Sequence, residues 1–143
     1  MERGCLLSSP TRETIRAAFK TVLDDADLGV TVYDREPDPG FDMNSIVIYM
    51  ISGSNAGSGL GSGNFHESWR VQLSIYNTDV IACGVLAVSA SNAILAALST
   101  FESTYGIKNL RKLVDTDMGR QDPNVHEFQI VQDYSFETDL ASP

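Results

Sequence analysis

Apolar residues recur along this chain with two different periods, and the switches between them mark its elements. Ile15, Ala18, Phe19, Val22, Leu23 and Ala26 stand at i, i+3, i+4, i+7, i+8 and i+11, the spacing of one helical face. Ser9 and Pro10 offer an N-cap and a first-turn proline for that helix, and Gly29 can take the left-handed conformation that closes it. Residues 1–8 carry no period and read as a flexible arm. Val30–Asp34 then reads as a short strand. Pro37, Pro39 and Gly40 interrupt regular structure before Ile46–Ile51 resumes as a second strand. The second strand is apolar at every position, which predicts that both its faces are covered, by helices or by another subunit. Trp69, Val71, Leu73 and Ile75 alternate with Ser68, Arg70, Gln72 and Ser74, the signature of a strand with one dry and one wet face.

Val80–Phe101 contains no charged residue and predicts a long buried helix, capped by Asn77, Thr78 or Asp79 and ending near Gly106. It is long enough to cross a bilayer. Ser89, Ser91, Asn92, Ser99 and Thr100 dilute it, however, its flanks Asp79 and Glu102 are acidic, and no cluster of Lys or Arg orients it, so a packed helix fits better. Its alanines spread around the helix, which predicts packing on more than one side, with a neighbouring subunit as the natural second support. Strands follow at Lys108–Asp115 and from Val125 to about Thr138, with Phe128, Ile130, Tyr134 and Phe136 on one face. The sum is one α+β domain over residues 1–143. Its order, α-β-β-β-α-β-β, predicts an antiparallel sheet of mixed strand order with two helices packed on one face.

Composition narrows the chemistry. Apolar residues make up 43% of 143 and charged residues 20%, which suits one packed core and excludes disordered and collagen-like classes. A core of this size needs no staple, so Cys5 and Cys83 read as ordinary thiols. Nineteen acidic residues against ten basic ones give a formal charge of −9, whose field repels nucleic acid and anionic lipid.

Each candidate motif fails on spacing. Gly57, Gly59, Gly61 and Gly63 invite a phosphate loop, but Ser62 and Asn64 stand where the third glycine is required, and a strand follows instead of a helix. The acidic run Asp34, Glu36, Asp38 and Asp42 has Pro39 and Ser45 where a calcium loop needs Gly and Glu. Asp115, Asp117 and Asp122 have no better spacing. His66 and His126 lie far apart without neighbouring cysteines, and no serine sits in a nucleophile elbow. No catalytic residue, metal site or cofactor is therefore expected. The Ser52–Phe65 excursion and the Asp34–Asp42 loop become the candidate contact segments instead, with Arg35, Arg70, Arg111 and Arg120 as candidates for ion pairs across an interface. Trp69 reads as a core or interface anchor.

The helix TIRAAFKTVL, the strand pair VTVYDREPDPGFDMNSIVIYMI, the glycine excursion, ESWRVQLSIYNTD leading into ACGVLAVSASNAILAAL, and the closing VHEFQIVQDYSFETD together resemble the small tail-terminator, or tail-completion, proteins of long-tailed phages and related viruses. The likeness spans nearly the whole chain and lies in element order and hydrophobic pattern. It implies a ring, usually of six copies, at the head-proximal end of the tail tube in the virion's tail-neck region, assembled in the host cytoplasm. Such a ring stops tube growth, docks the head connector, and lets DNA pass without binding it. Its partners would be further copies of itself, the tail tube protein and a connector or neck protein, with no membrane. Another neck ring, or an acidic monomeric module gripping a basic protein, are the alternatives. In the ring reading Asp34, Arg35, Glu36, Asp38, Asp42, Gly57, Gly59, Leu60, Gly61, Gly63, Phe65 and Arg70 are candidates for the subunit or lumen boundary. Deletion of Gly57–Gly63 is expected to impair assembly onto tail tubes while leaving the monomer's circular dichroism unchanged. Normal tube lengths with the deletion present would contradict it.

Overall fold

A computed structural model describes residues 11–35, 37, 44–55, 66–120 and 127–139, and the side chains of all of these except 52–55, 66, 119, 120 and 139. The first helix, α1 (Arg12–Asp25), begins one turn later than Ser9 and Pro10 suggested, and both of those lie outside the described residues. Thr11 is the cap. Its hydroxyl accepts from the Thr14 amide at 3.2 Å while the Thr14 hydroxyl accepts from the Thr11 amide at 2.7 Å, so two otherwise orphaned donors are satisfied reciprocally. Ile15, Ala18, Phe19 and Leu23 are buried, as their spacing predicts. The chain leaves the helix through Asp27 (φ +54°) and Gly29 (φ +78°), the latter in the expected left-handed conformation.

Five strands follow the order β1-β2-β3-β5-β4: β1 (Thr31–Tyr33), β2 (Ser45–Asn55), β3 (His66–Asn77), β4 (Lys108–Arg120) and β5 (Phe128–Asp139). All pairings are antiparallel except β1 with β2, where Thr31 stands opposite Ser45 and the strands run parallel. The sheet is thus mixed. The proline-containing connection between Tyr33 and Ser45 is too long for a tight hairpin, and it brings β2 back to the end where β1 starts. The last hairpin extends further than its apolar pattern indicates, because backbone pairing from Thr116 to Arg120 proceeds with Met118 as the single apolar side chain of that stretch.

The uncharged stretch forms two helices, α2 (Val80–Ala96) and α3 (Leu98–Tyr105), bent by 52° at Ala97. Neither Pro nor Gly marks the bend, and Ala96–Ala97 is the best local helix sequence available. Tertiary packing overrides that propensity: the turn at Ala97 lets α3 lay Phe101 against Phe19 of α1 at 4.9 Å between ring centroids. Of the three proposed caps for α2, Asp79 serves, accepting from the Ala82 amide at 3.1 Å. Gly106 closes α3 at φ +70°, with the Ile107 amide reaching back to the Phe101 carbonyl.

All three helices pack on one face of the sheet, α1 over β1 and β2, α2 over β3 and β5, and α3 at the start of β4. Phe19 also meets Phe136 at 5.7 Å and Tyr134 at 6.4 Å, so one aromatic cluster joins α1, α3 and β5. Beside it, the buried Tyr134 hydroxyl donates to Gln132 Oε1 at 2.9 Å, and Gln132 Nε2 donates to the Ala87 carbonyl of α2 at 2.9 Å. This polar bridge fixes α2 on the sheet. On the other sheet face, Val47 and Ser45 are fully buried within a single copy, so β2 needs no neighbouring subunit to cover it there, contrary to one of the two expectations for that strand.

Burial pushes the Tyr134 hydroxyl up to about 12, with nearby Asp115 acting in the same direction and Ser91 opposing. An unfolded tyrosine ionises near 10. Between roughly pH 10 and 12 the unfolded chain therefore loses a proton that the folded chain keeps, and folding stability falls as pH rises, by roughly 2 to 3 kcal/mol for this group. Urea denaturation across that range should show the loss, and Tyr134→Phe should flatten it while lowering stability at neutral pH.

Candidate interaction surfaces

Of the twelve sequence-predicted boundary residues, Asp34, Arg35 and Arg70 fall within the described residues; Glu36, Asp38, Asp42, Gly57, Gly59, Leu60, Gly61, Gly63 and Phe65 do not. Asp34 and Arg35 follow β1 directly. Arg35 is 61% exposed, yet its guanidinium is committed to its own chain, donating to Glu13 Oε2 of α1 at 2.8 Å and to Asp34 Oδ1 at 3.4 Å. The hydrogen bond to Asp34 and the charge of Glu13 raise its pKa further. Glu13 also receives Arg16 at 2.8 Å, so the start of this loop is tied to the first turn of α1.

Arg70 lies elsewhere, at the middle of the sheet face turned away from the helices. The pleat puts Trp69 in the core and its neighbour Arg70 outside it, where Nη2 donates to Asp133 Oδ2 of β5 at 2.8 Å. Arg70 Nε and Asp133 Oδ1 are buried without a partner. A groove of about 540 Å³ beside this pair is edged by Asn109, Arg111, Ser135 and Glu137. In it Arg111 Nε donates to Ser135 Oγ at 3.3 Å, and Asn109, at φ +57°, donates to Glu137 Oε1 at 2.9 Å. The structure therefore separates Arg70 from Asp34 and Arg35 instead of joining them in one site. The side chain of Arg120 lies outside the described residues. Trp69 is a core anchor: it is 5% exposed, its Nε1 donates to Thr138 Oγ1 at 2.9 Å, and the Arg12 guanidinium sits 5.7 Å over its ring.

The second side of the uncharged helix, for which the sequence predicts a further support, is open among the described residues. On the outer side of α2, Ile81, Val85 and Val88 are 74%, 61% and 60% exposed, and Leu95 continues the row. A groove of about 650 Å³ runs between this row and the end of α1, past Leu28 and Ala82. The signal was present in the sequence as a helix dry around its girth; only the three-dimensional packing shows which side stays open. Edge strand β4 is exposed from Arg111 to Met118, including Leu113 and Val114.

Cys83, whose thiol burial pushes its pKa up, points at the Ile75 carbonyl inside the core, and Cys5 lies outside the described residues. Among the described residues, no three His, Cys, Asp or Glu side chains gather where they could hold a metal ion. No single helix there is long and apolar enough to cross a membrane, although α2 and α3 together would pass on length and composition.

No family model matches the chain, and no curated protein does. Solved structures do: a chain from the virion of a native gene transfer agent particle shares the fold at a TM-score of 0.57 and 16% identity, over 87% of this chain and 93% of that one. At that identity the likeness is one of fold.

The Arg70–Asp133 pair, with its arginine 44% and its carboxylate 15% exposed, generates a stability test. Arg70→Met should cost about 1 to 3 kcal/mol by stranding the half-buried Asp133 carboxylate, whereas the double variant with Asp133→Leu should recover much of that loss. Urea denaturation of the two single variants and the double one measures the coupling.

Proposed function

We propose that this chain is a structural protein of a tailed virion, and that it forms a ring at the head-proximal end of the tail tube. There it ends tube polymerisation and joins the tail to the head connector while DNA passes through the lumen. The observation that carries this reading is the fold shared with a chain of a gene transfer agent virion, which runs through nearly the full length of both chains. The pattern of elements that resembles tail terminators supports it, as does the broad apolar face left open on α2.

In this reading the mechanism is steric. Copies related by rotation close head to tail into a ring whose lower face matches the tube and whose upper face offers no template for another tube ring. The excess of acidic residues suits a passage for DNA, because a basic lining would hold phosphates. The Asp34–Asp42 and Ser52–Phe65 segments are assigned to subunit or lumen boundaries on their composition.

Electron microscopy of the purified protein mixed with purified tail tubes tests the reading. Density capping one end only, together with tubes that no longer elongate, is the expected outcome. A ring that binds the portal side of heads and leaves tube ends bare would favour a neck ring. Monomers that decorate neither would point to a binding module.

A further inference from the structure

Building on the ring reading, we infer that the subunit contact is a heterologous one between the outer face of α2 in one copy and the exposed stretch of β4 in the next. The first patch is the row Ile81, Val85, Val88 and Leu95, between 39% and 74% exposed. Together these side chains present on the order of 400 Å² of apolar area, within the range of the largest patch a monomer shows, which is often functional. A stable interface takes about 800 Å² from each partner, of which somewhat more than half is apolar, so this row is of the right size to form its centre. No charged side chain lies between Asp79 and Glu102, so covering the row desolvates no charge.

The second patch is on the same chain but on the opposite side of the domain. Val114 stands opposite Asp133 in the sheet, and Asp133 lies between Gln132 and Tyr134, whose side chains face α2. Val114 (39% exposed) therefore points away from the helix layer, while Leu113 (44%) occupies a register shift beside it. A row along α2 from Ile81 to Leu95 is about 21 Å long. The stretch from Arg111 to Met118 is about 23 Å long, so one can lie along the other. The α2 row and the Val114 surface of β4, which lies among Arg111, Lys112, Asp115 and Asp117, are on opposite faces of a two-layer domain, so one two-fold dimer cannot satisfy both. They are both satisfied when every copy gives one and receives the other, which is the contact a ring repeats. The net charge of −9 argues against an anionic lipid surface as the occupant.

The test uses the full chain and sedimentation equilibrium up to roughly millimolar protein, with circular dichroism to show that each variant is folded. Wild-type protein is expected to self-associate beyond a dimer. Val85→Glu and Val114→Asp should each weaken that association at least tenfold, and Val88→Gln, which adds no charge, should weaken it in the same direction. A mixture of Val85→Glu with Val114→Asp should form dimers and nothing larger, because such a pair retains one intact contact. Equal association by all the variants overturns the inference. So does a mixture that stays monomeric, one single variant that associates as the wild type does, which marks a two-fold contact between like faces, or an α2 row that instead binds phosphatidylglycerol vesicles. Association that appears only after removal of residues 1–10 would show the arm to be the occupant and also overturns it. If the variants still cap tubes as the wild type does, this contact is wrong and the ring reading stands. If the wild type neither associates nor caps tubes, both fall.

Discussion

Phe19 is where the helix layer is pinned to the sheet. Its ring lies within 4.9 Å of Phe101 on α3 and 5.7 Å of Phe136 on β5, centroid to centroid, and all three side chains are almost fully buried. Three elements far apart in sequence meet at this cluster, and each gives up conformational freedom to do so. The bend at Ala97 follows from it, since a straight helix continuing α2 would carry Phe101 away from Phe19. The Gly106 closure then turns the chain so that Ile107 enters the core at 1% exposure and β4 starts at the sheet's edge.

The same constraint decides what remains open. With all three helices on one sheet face, α2 is buried only where Cys83, Leu86, Ala87, Ala90, Ser91 and Ile94 face inward. The bridge from Gln132 to the Ala87 carbonyl holds that rotation, because rolling the helix would take the carbonyl away from the buried Gln132 amide. The valines and isoleucine on the far side are thereby committed to the surface. An apolar outer row on α2 is a direct result of anchoring the helix by its small residues, and in an isolated monomer nothing in the packing offsets its exposure to water.

Much of this was legible in the residues. The i, i+3, i+4 spacing of α1 and the alternation of β3 place their buried side chains correctly, because each has a single buried face and a single competing environment. The two-sided burial of β2 was readable for Ser45–Ile48 but not for Ile51, which is 46% exposed, and the cover within one copy was not readable, since periodicity reports that a face is dry and not what dries it. The parallel pairing of β1 was hidden in the connection, where proline content reports a loop but not the direction in which it returns. The cap at Thr11 was missed because Thr14 performs the reciprocal role usually taken by Glu or Gln. Of the candidate boundary residues, Arg35 illustrates the limit best: its type suits an ion pair between subunits, yet Glu13, 22 positions away in the chain, already holds it.

That economy of charge has a bearing on assembly. Among the described residues Arg16, Arg35, Lys20, Arg70 and Lys112 all pair with acids of the same chain, and Arg12 lies over Trp69. Few cations are left to answer the surplus acid, so the surface is dominated by one sign, and two copies repel one another until screening, with a length of about 8 Å at physiological salt, takes over. Close contact between such copies is less costly where one of the two faces presents no charge. The span from Val80 to Phe101 carries no charged residue, and the outer row of α2 within it is apolar as well. In the ring reading, the acidic balance and the neutral helix are two halves of one arrangement: like-charge repulsion over most of the surface leaves the neutral face of α2 as the least costly place of contact.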